Sequence, residues 1–113
     1  MKIKTEELKS DRVWRAATGY DKVRFEKLLV LFTASYLALY GKSVAERQAG
    51  LEVVPCLRTE EDLLFFTLIS LKAGLTYDLL GLFCGMSGSN AKRNHQREGW
   101  YYNSRAAVNF SEE

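Results

Sequence analysis

Thr76-Tyr77-Asp78-Leu79-Leu80-Gly81-Leu82-Phe83-Cys84-Gly85-Met86-Ser87-Gly88-Ser89-Asn90-Ala91-Lys92-Arg93-Asn94-His95 reads as a short helix, a glycine turn and a second short helix. Gly81 puts a residue without a side chain in the middle of the first helix, where the second must cross closely. Four positions later Gly85 supplies a residue able to take positive φ for the turn. Met86 is placed to pack that turn, and Ser87 to cap the helix after it. The second helix then carries Ser89, Asn90, Lys92, Arg93, Asn94, His95, Gln96 and Arg97, all able to donate to phosphates or base edges. The pattern predicts a helix-turn-helix.

Upstream of this stretch, glycines and the lone proline divide the chain into helical segments, and no alternating run makes a convincing strand. A first segment from about Thr5 to Thr18 places Leu8, Val13, Trp14 and Ala17 at helical spacing and stops at Gly19. A second begins after Asp21, a good cap, and runs to about Tyr40 with Phe25, Leu28, Leu29, Phe32, Tyr36 and Leu39 on one stripe. Gly41 to Arg58 has weak periodicity and reads as a connector with a helical turn around Ala45 to Ala49.

Thr59 followed by Glu60, Glu61 and Asp62 is a cap plus an acidic first turn, suited to the positive end of a helix dipole. The helix it opens, closed by Lys72 and Gly74, is apolar nearly all round and so predicts a central buried element. The expected fold class is all-α, a small multi-helix domain ending in a trihelical helix-turn-helix unit. Residues 1–113 form one domain: N-terminal helices over 1–40, a connector over 41–58, the helix-turn-helix unit over 59–98 and a tail over 99–113. In that tail Trp100 and one tyrosine are expected to cover the core.

With 113 residues, 47% of them hydrophobic and 27% charged, the chain has room for one core and needs no staples. Cys56 and Cys84 are therefore expected to be plain thiols, in a cytoplasmic, reducing setting, since no export signal pattern opens the chain. The longest strongly apolar run, Leu28 to Leu39, is broken by Thr33, Ser35 and Tyr36 and is too short for a bilayer. Net charge is only +2. The distribution is more telling: between Met86 and Arg105 stand Lys92, Arg93, Arg97 and Arg105 against the single acid Glu98.

No constellation for catalysis can be drawn. His95 is the only histidine and has no cysteine at ligand spacing, so no metal site is expected. Among Asn94, Gln96 and Arg97 it reads as solvated or phosphate-facing. Glu60, Glu61 and Asp62 point in different directions on a helix and are better explained by capping than by magnesium. No glycine-rich phosphate loop is present, and no cofactor is implied. The expected site is therefore a DNA-binding surface made of Ser87, Ser89, Asn90, Lys92, Arg93, Asn94, Gln96 and Arg97. Lys92, Arg93 and Arg97 would meet phosphates or guanine, Asn90, Asn94 and Gln96 adenine, and Ser87 and Ser89 a phosphate at the helix N-terminus. The inner places of that helix fall to Ala91 and Asn94 rather than to bulky apolar residues.

Two blocks carry a family likeness. Val13-Trp14-Arg15-Ala16-Ala17-Thr18-Gly19-Tyr20-Asp21-Lys22-Val23-Arg24-Phe25-Glu26-Lys27-Leu28-Leu29 is one. The other runs from Glu61 to Lys72 and continues through Leu75-Thr76-Tyr77 to the Phe83-Cys84-Gly85-Met86-Ser87 turn. Together they resemble the N-terminal helical and helix-turn-helix domain of DDE-type insertion-sequence transposases. The resemblance implies the DNA-recognition portion of a mobile element's transposase, reading the element's terminal repeat and lacking the catalytic domain, whether stand-alone or truncated. It implies double-stranded DNA as partner, with a transposase catalytic subunit or a second copy beside it, and no enzymatic activity. The rival readings are an inactive remnant and a helical protein-interaction module using Trp14, Phe65 or Trp100 to Tyr102.

Overall fold

Each helix begins where a side chain can take up its unpaired N–H groups. In the computed structural model, which describes residues 2–50 and 56–101, Ser10, Asp21, Ser43, Thr59 and Thr76 each accept from the backbone N–H three residues on. They open α1 (Asp11–Thr18), α2 (Lys22–Tyr40), α3 (Val44–Gln48), α4 (Glu60–Ala73) and α5 (Tyr77–Cys84), which α6 (Gly88–Tyr101) follows. Glycines in the left-handed region end α1, α2, α4 and α5. Among the described residues all regular structure is helical, so the all-α expectation holds.

The long first segment does not form as one helix. Thr5–Glu7 make a single 3-10 turn, and the chain is extended at Leu8 and again at Ser10, whose side chain starts α1. A serine that can cap competes with continuing the helix, and Leu8 turns in against the core. The 3-10 turn is held to the start of α4 by the Thr5 hydroxyl, which donates to Glu61 Oε1 at 2.6 Å. Two further expectations fail at the edges. Leu39 is 40% exposed rather than part of the buried stripe, and α6 runs past Gly99 to Tyr101, into the segment expected to be tail.

At the centre lies α4, where every residue from Leu63 to Ser70 is buried. α1, α2 and α6 all pack on it, and α5 packs on α6. Its two buried hydroxyls bond within the helix, Thr67 to the Leu63 carbonyl and Ser70 to the Thr67 carbonyl, each at 2.8 Å, so neither needs water. Aromatic rings tie the N-terminal helices to it: Trp14 lies 5.0 Å from Phe25, and Phe25 meets Phe65 edge-on at 6.3 Å.

The connector is anchored at both ends. Glu60 accepts from Val44 N–H, Gln48 donates to the Leu57 carbonyl, and the Arg47 guanidinium bonds the Tyr36 hydroxyl at 2.6 Å while lying 3.8 Å over the Tyr40 ring.

Both cysteines are free thiols. Burial pushes the Cys84 thiol up to about 11, whereas Cys56, partly exposed, approaches the Gly85 carbonyl at 3.3 Å. A buried thiol shifted this way stays protonated at pH 8. A chromogenic disulfide reagent titrated into the native protein is expected to label Cys56 promptly and Cys84 only on unfolding; two equally fast thiols would contradict this packing. Phe66, fully buried in α4, supplies a second check. Phe66→Ala is expected to cost roughly 3–5 kcal/mol in urea unfolding, much of the stability of a small domain.

Candidate nucleic-acid interface

The crossing of α5 and α6 is built on backbone-to-backbone contact. Gly81 is buried in α5, and its carbonyl accepts the N–H groups of both Gly85 and Met86 at 2.8 Å. Gly85 takes φ 79°, the chain turns through Met86 and Ser87, and α6 begins at Gly88. A Cβ on Gly81 would collide with the Met86 carbonyl oxygen and sit 3.0 Å from the Ser87 carbonyl carbon. The glycine is therefore a steric requirement of the turn, as its place in the sequence suggests.

Ser87 caps α6: its hydroxyl oxygen accepts Asn90 N–H at 3.1 Å and its carbonyl accepts Ala91 N–H at 2.9 Å. The expected phosphate site at this N-terminus is occupied differently. The Asp78 carboxylate lies directly against Gly88, where a Cβ would strike Asp78 Oδ1. An acid at the positive end of α6 takes up the dipole that would favour an anion and repels a phosphate there.

The inner side of α6 is Ala91, fully buried, and Asn94, 8% exposed. Asn94 therefore faces the interior, whereas the base contact expected of it needs an outward side chain. Its amide nitrogen donates to the Asn90 carbonyl at 2.9 Å and to Asn90 Oδ1 at 3.0 Å, and lies 3.7 Å from Met86 Sδ. Asn90 is half-buried, with its side-chain oxygen engaged by Asn94. His95 is half-buried rather than fully solvated. Its ring packs edge-on against Tyr77 at 5.6 Å, and Nδ1 is buried with no hydrogen-bond partner among the described residues.

What remains outward is Ser89, Lys92, Arg93 and Gln96, all exposed, with Ser87 at the rim. Spacing of three and four residues sets Ser89, Lys92, Arg93 and Gln96 on one strip, with two cations and no acid. Arg97 continues α6; its side chain, like those of Trp100 and Tyr101, lies outside the described residues, as does Tyr102.

One contributor is not legible from the sequence. Lys2 is exposed beside the motif's turn, its N–H donating to the Cys84 carbonyl at 3.3 Å and its own Cβ 3.1 Å from where a Cβ on Gly85 would lie. No local pattern announces a terminal segment that docks on a turn some eighty residues away. Lys2 stands beside the turn that leads into α6.

Among the described residues no group of three or more histidine, cysteine or acidic side chains is placed to hold a metal, and no helix is long and apolar enough to cross a membrane. Comparison with protein-family models, curated proteins and solved structures returns no match. The transposase resemblance therefore rests on the two sequence blocks, Val13 to Leu29 and Glu61 to Ser87, by themselves.

Gly81→Ala is expected to lower stability by about 2 kcal/mol, because the Met86 carbonyl that must give way is backbone. Thermal melts read this as a drop of roughly 10 °C. An unchanged melting temperature would mean that the crossing is looser than described.

Proposed function

We propose that this chain recognises double-stranded DNA by laying α6 in the major groove. The observation that carries the reading is the exposed strip Ser89, Lys92, Arg93 and Gln96, cationic and free of acids, on a helix held to α5 by a glycine crossing. Arg93 and Lys92 suit phosphate oxygens or the O6 and N7 edge of guanine, and Gln96 suits adenine. Ser89 replaces Ser87 as the better phosphate donor, since the Ser87 hydroxyl is engaged in capping α6 while Ser89 stands on the exposed strip. Asn94 is assigned to holding the helix rather than reading bases.

The resemblance to transposases gives this reading its biological sense. The duplex would be the terminal repeat of a mobile element, and the chain would supply recognition while a catalytic subunit cuts and joins. On this reading the chain is a binding module and not an enzyme.

Fluorescence anisotropy of a labelled random-sequence duplex, titrated at two salt concentrations, tests it. Wild type is expected to bind more tightly at low salt. The Lys92→Ala, Arg93→Ala double variant should bind at least tenfold more weakly, with a log–log salt slope shallower by about 2, roughly 0.9 for each phosphate left without its cation. Equal binding by both proteins, or none at low salt, would overturn the assignment.

A further inference from the structure

The long helix α2 has two apolar sides, and the core uses one. Phe25, Leu28, Phe32 and Tyr36 are buried. On the outer side Val23 is 61% exposed, Val30 70% and Leu37 51%. These three recur every seven residues, at 23, 30 and 37, and a helix drifts only ~20° per seven-residue step, so they form one nearly straight ridge. Between them the exposed residues on that side include Glu26, Lys27, Thr33 and Ala34. Isolated surface valines mean nothing, but three apolar residues in line at heptad spacing supply one of the two positions of a coiled-coil repeat, with Ala34 beside them leaving room for close approach.

We propose that this ridge is a self-association surface, and that two copies of the chain pair through α2 in antiparallel orientation about a two-fold axis at Val30. The charges on the helix select the occupant and its direction. All the charged residues of α2 lie in its first third, Lys22, Arg24, Glu26 and Lys27, and Leu28 to Tyr40 contains none. Parallel pairing would set the three cations of one copy against the same three of the other. Antiparallel pairing sets them along the uncharged half of the second helix and near its C-terminal carbonyls, where a helix dipole favours positive charge.

The register is self-complementary, as a two-fold interface requires. With Val30 on the axis, Val23 faces Leu37, Lys27 faces Thr33, and Glu26 passes over Ala34. The face is independent of the DNA reading, because α2 and α6 each pack on α4 and Lys92 and Arg93 take no part in the ridge.

Light scattering after size exclusion, over a hundredfold range of loading concentration, reads the mass. The expected result is a rise from 12.9 kDa toward twice that value in wild type, and a constant 12.9 kDa in Val30→Lys, which places two ammonium groups face to face on the axis. Helicity by circular dichroism should be the same in both, since Val30 supports nothing inside. Orientation is read by cross-linking in a Cys56→Ser background. Val30→Cys should form a disulfide-linked dimer on mild oxidation by oxidised glutathione; Val23→Cys alone should not, but should cross-link when mixed with Leu37→Cys. A monomer at every concentration overturns the proposal and leaves the ridge to a different protein. Dimerisation that Val30→Lys does not disturb places the interface elsewhere, and ready self-cross-linking of Val23→Cys overturns the antiparallel arrangement. None of these readouts involves DNA, so failure here leaves the DNA reading standing.

Discussion

Burial of α4 on every side is the constraint on which the other helices depend. A helix with Leu63, Leu64, Phe65, Phe66, Leu68 and Ile69 facing all directions cannot stand against water on any side. It is covered only when α1, α2 and α6 are all in place. The two hydroxyl residues within it carry no penalty because they bond to carbonyls of their own helix. The outward strip of α6 is oriented by the same requirement, since the side that carries Ala91 and Asn94 has to meet the interior.

α6 is held with little apolar bulk. Its inward residues are an alanine, an asparagine and a half-buried histidine, where a reading helix ordinarily offers larger aliphatic groups. Close approach replaces bulk. Gly81 and Gly88 let the backbones of α5 and α6 come together, and the Asn94 to Asn90 bonds satisfy the polar group that this brings inside. His95 adds a ring contact with Tyr77 at the open end of the crossing.

Most of this frame can be read from the chain. Thr59, Thr76 and Gly85 mark their helix ends because capping chemistry is local, and the bounds of α4 and α5 follow from them. The N-terminal segment is harder: periodicity continues across Ser10, and only the serine's choice to cap divides it. The end of α6 escapes the sequence because Gly99 resembles a stop, although no left-handed turn is taken there. Within the site, Lys92, Arg93, Ser89 and Gln96 are legible as outward residues. Asn94 is legible as an inner place by its spacing from Ala91, though its residue type also suits a base edge; His95 is not, because a helix with few apolar residues does not reveal how far its inner side extends. Lys2 and Asp78 reach the site through tertiary placement, which no local signal carries. The second side of α2 is hidden by its own abundance of apolar residues, since a helix apolar in several directions gives no preferred face.

The glycine crossing also has a consequence for how such a chain can change over generations. A Cβ on Gly81 meets a backbone carbonyl, and Gly85 is held at positive φ, so a codon change at either costs a sizeable part of the stability of a small domain. Ser89, Lys92, Arg93 and Gln96 support nothing beneath them and can be exchanged at almost no cost in stability. Constancy and variation are thus separated within some fifteen residues. A lineage carrying this scaffold is free to revise what its outer helix prefers while inheriting the means of presenting it unchanged.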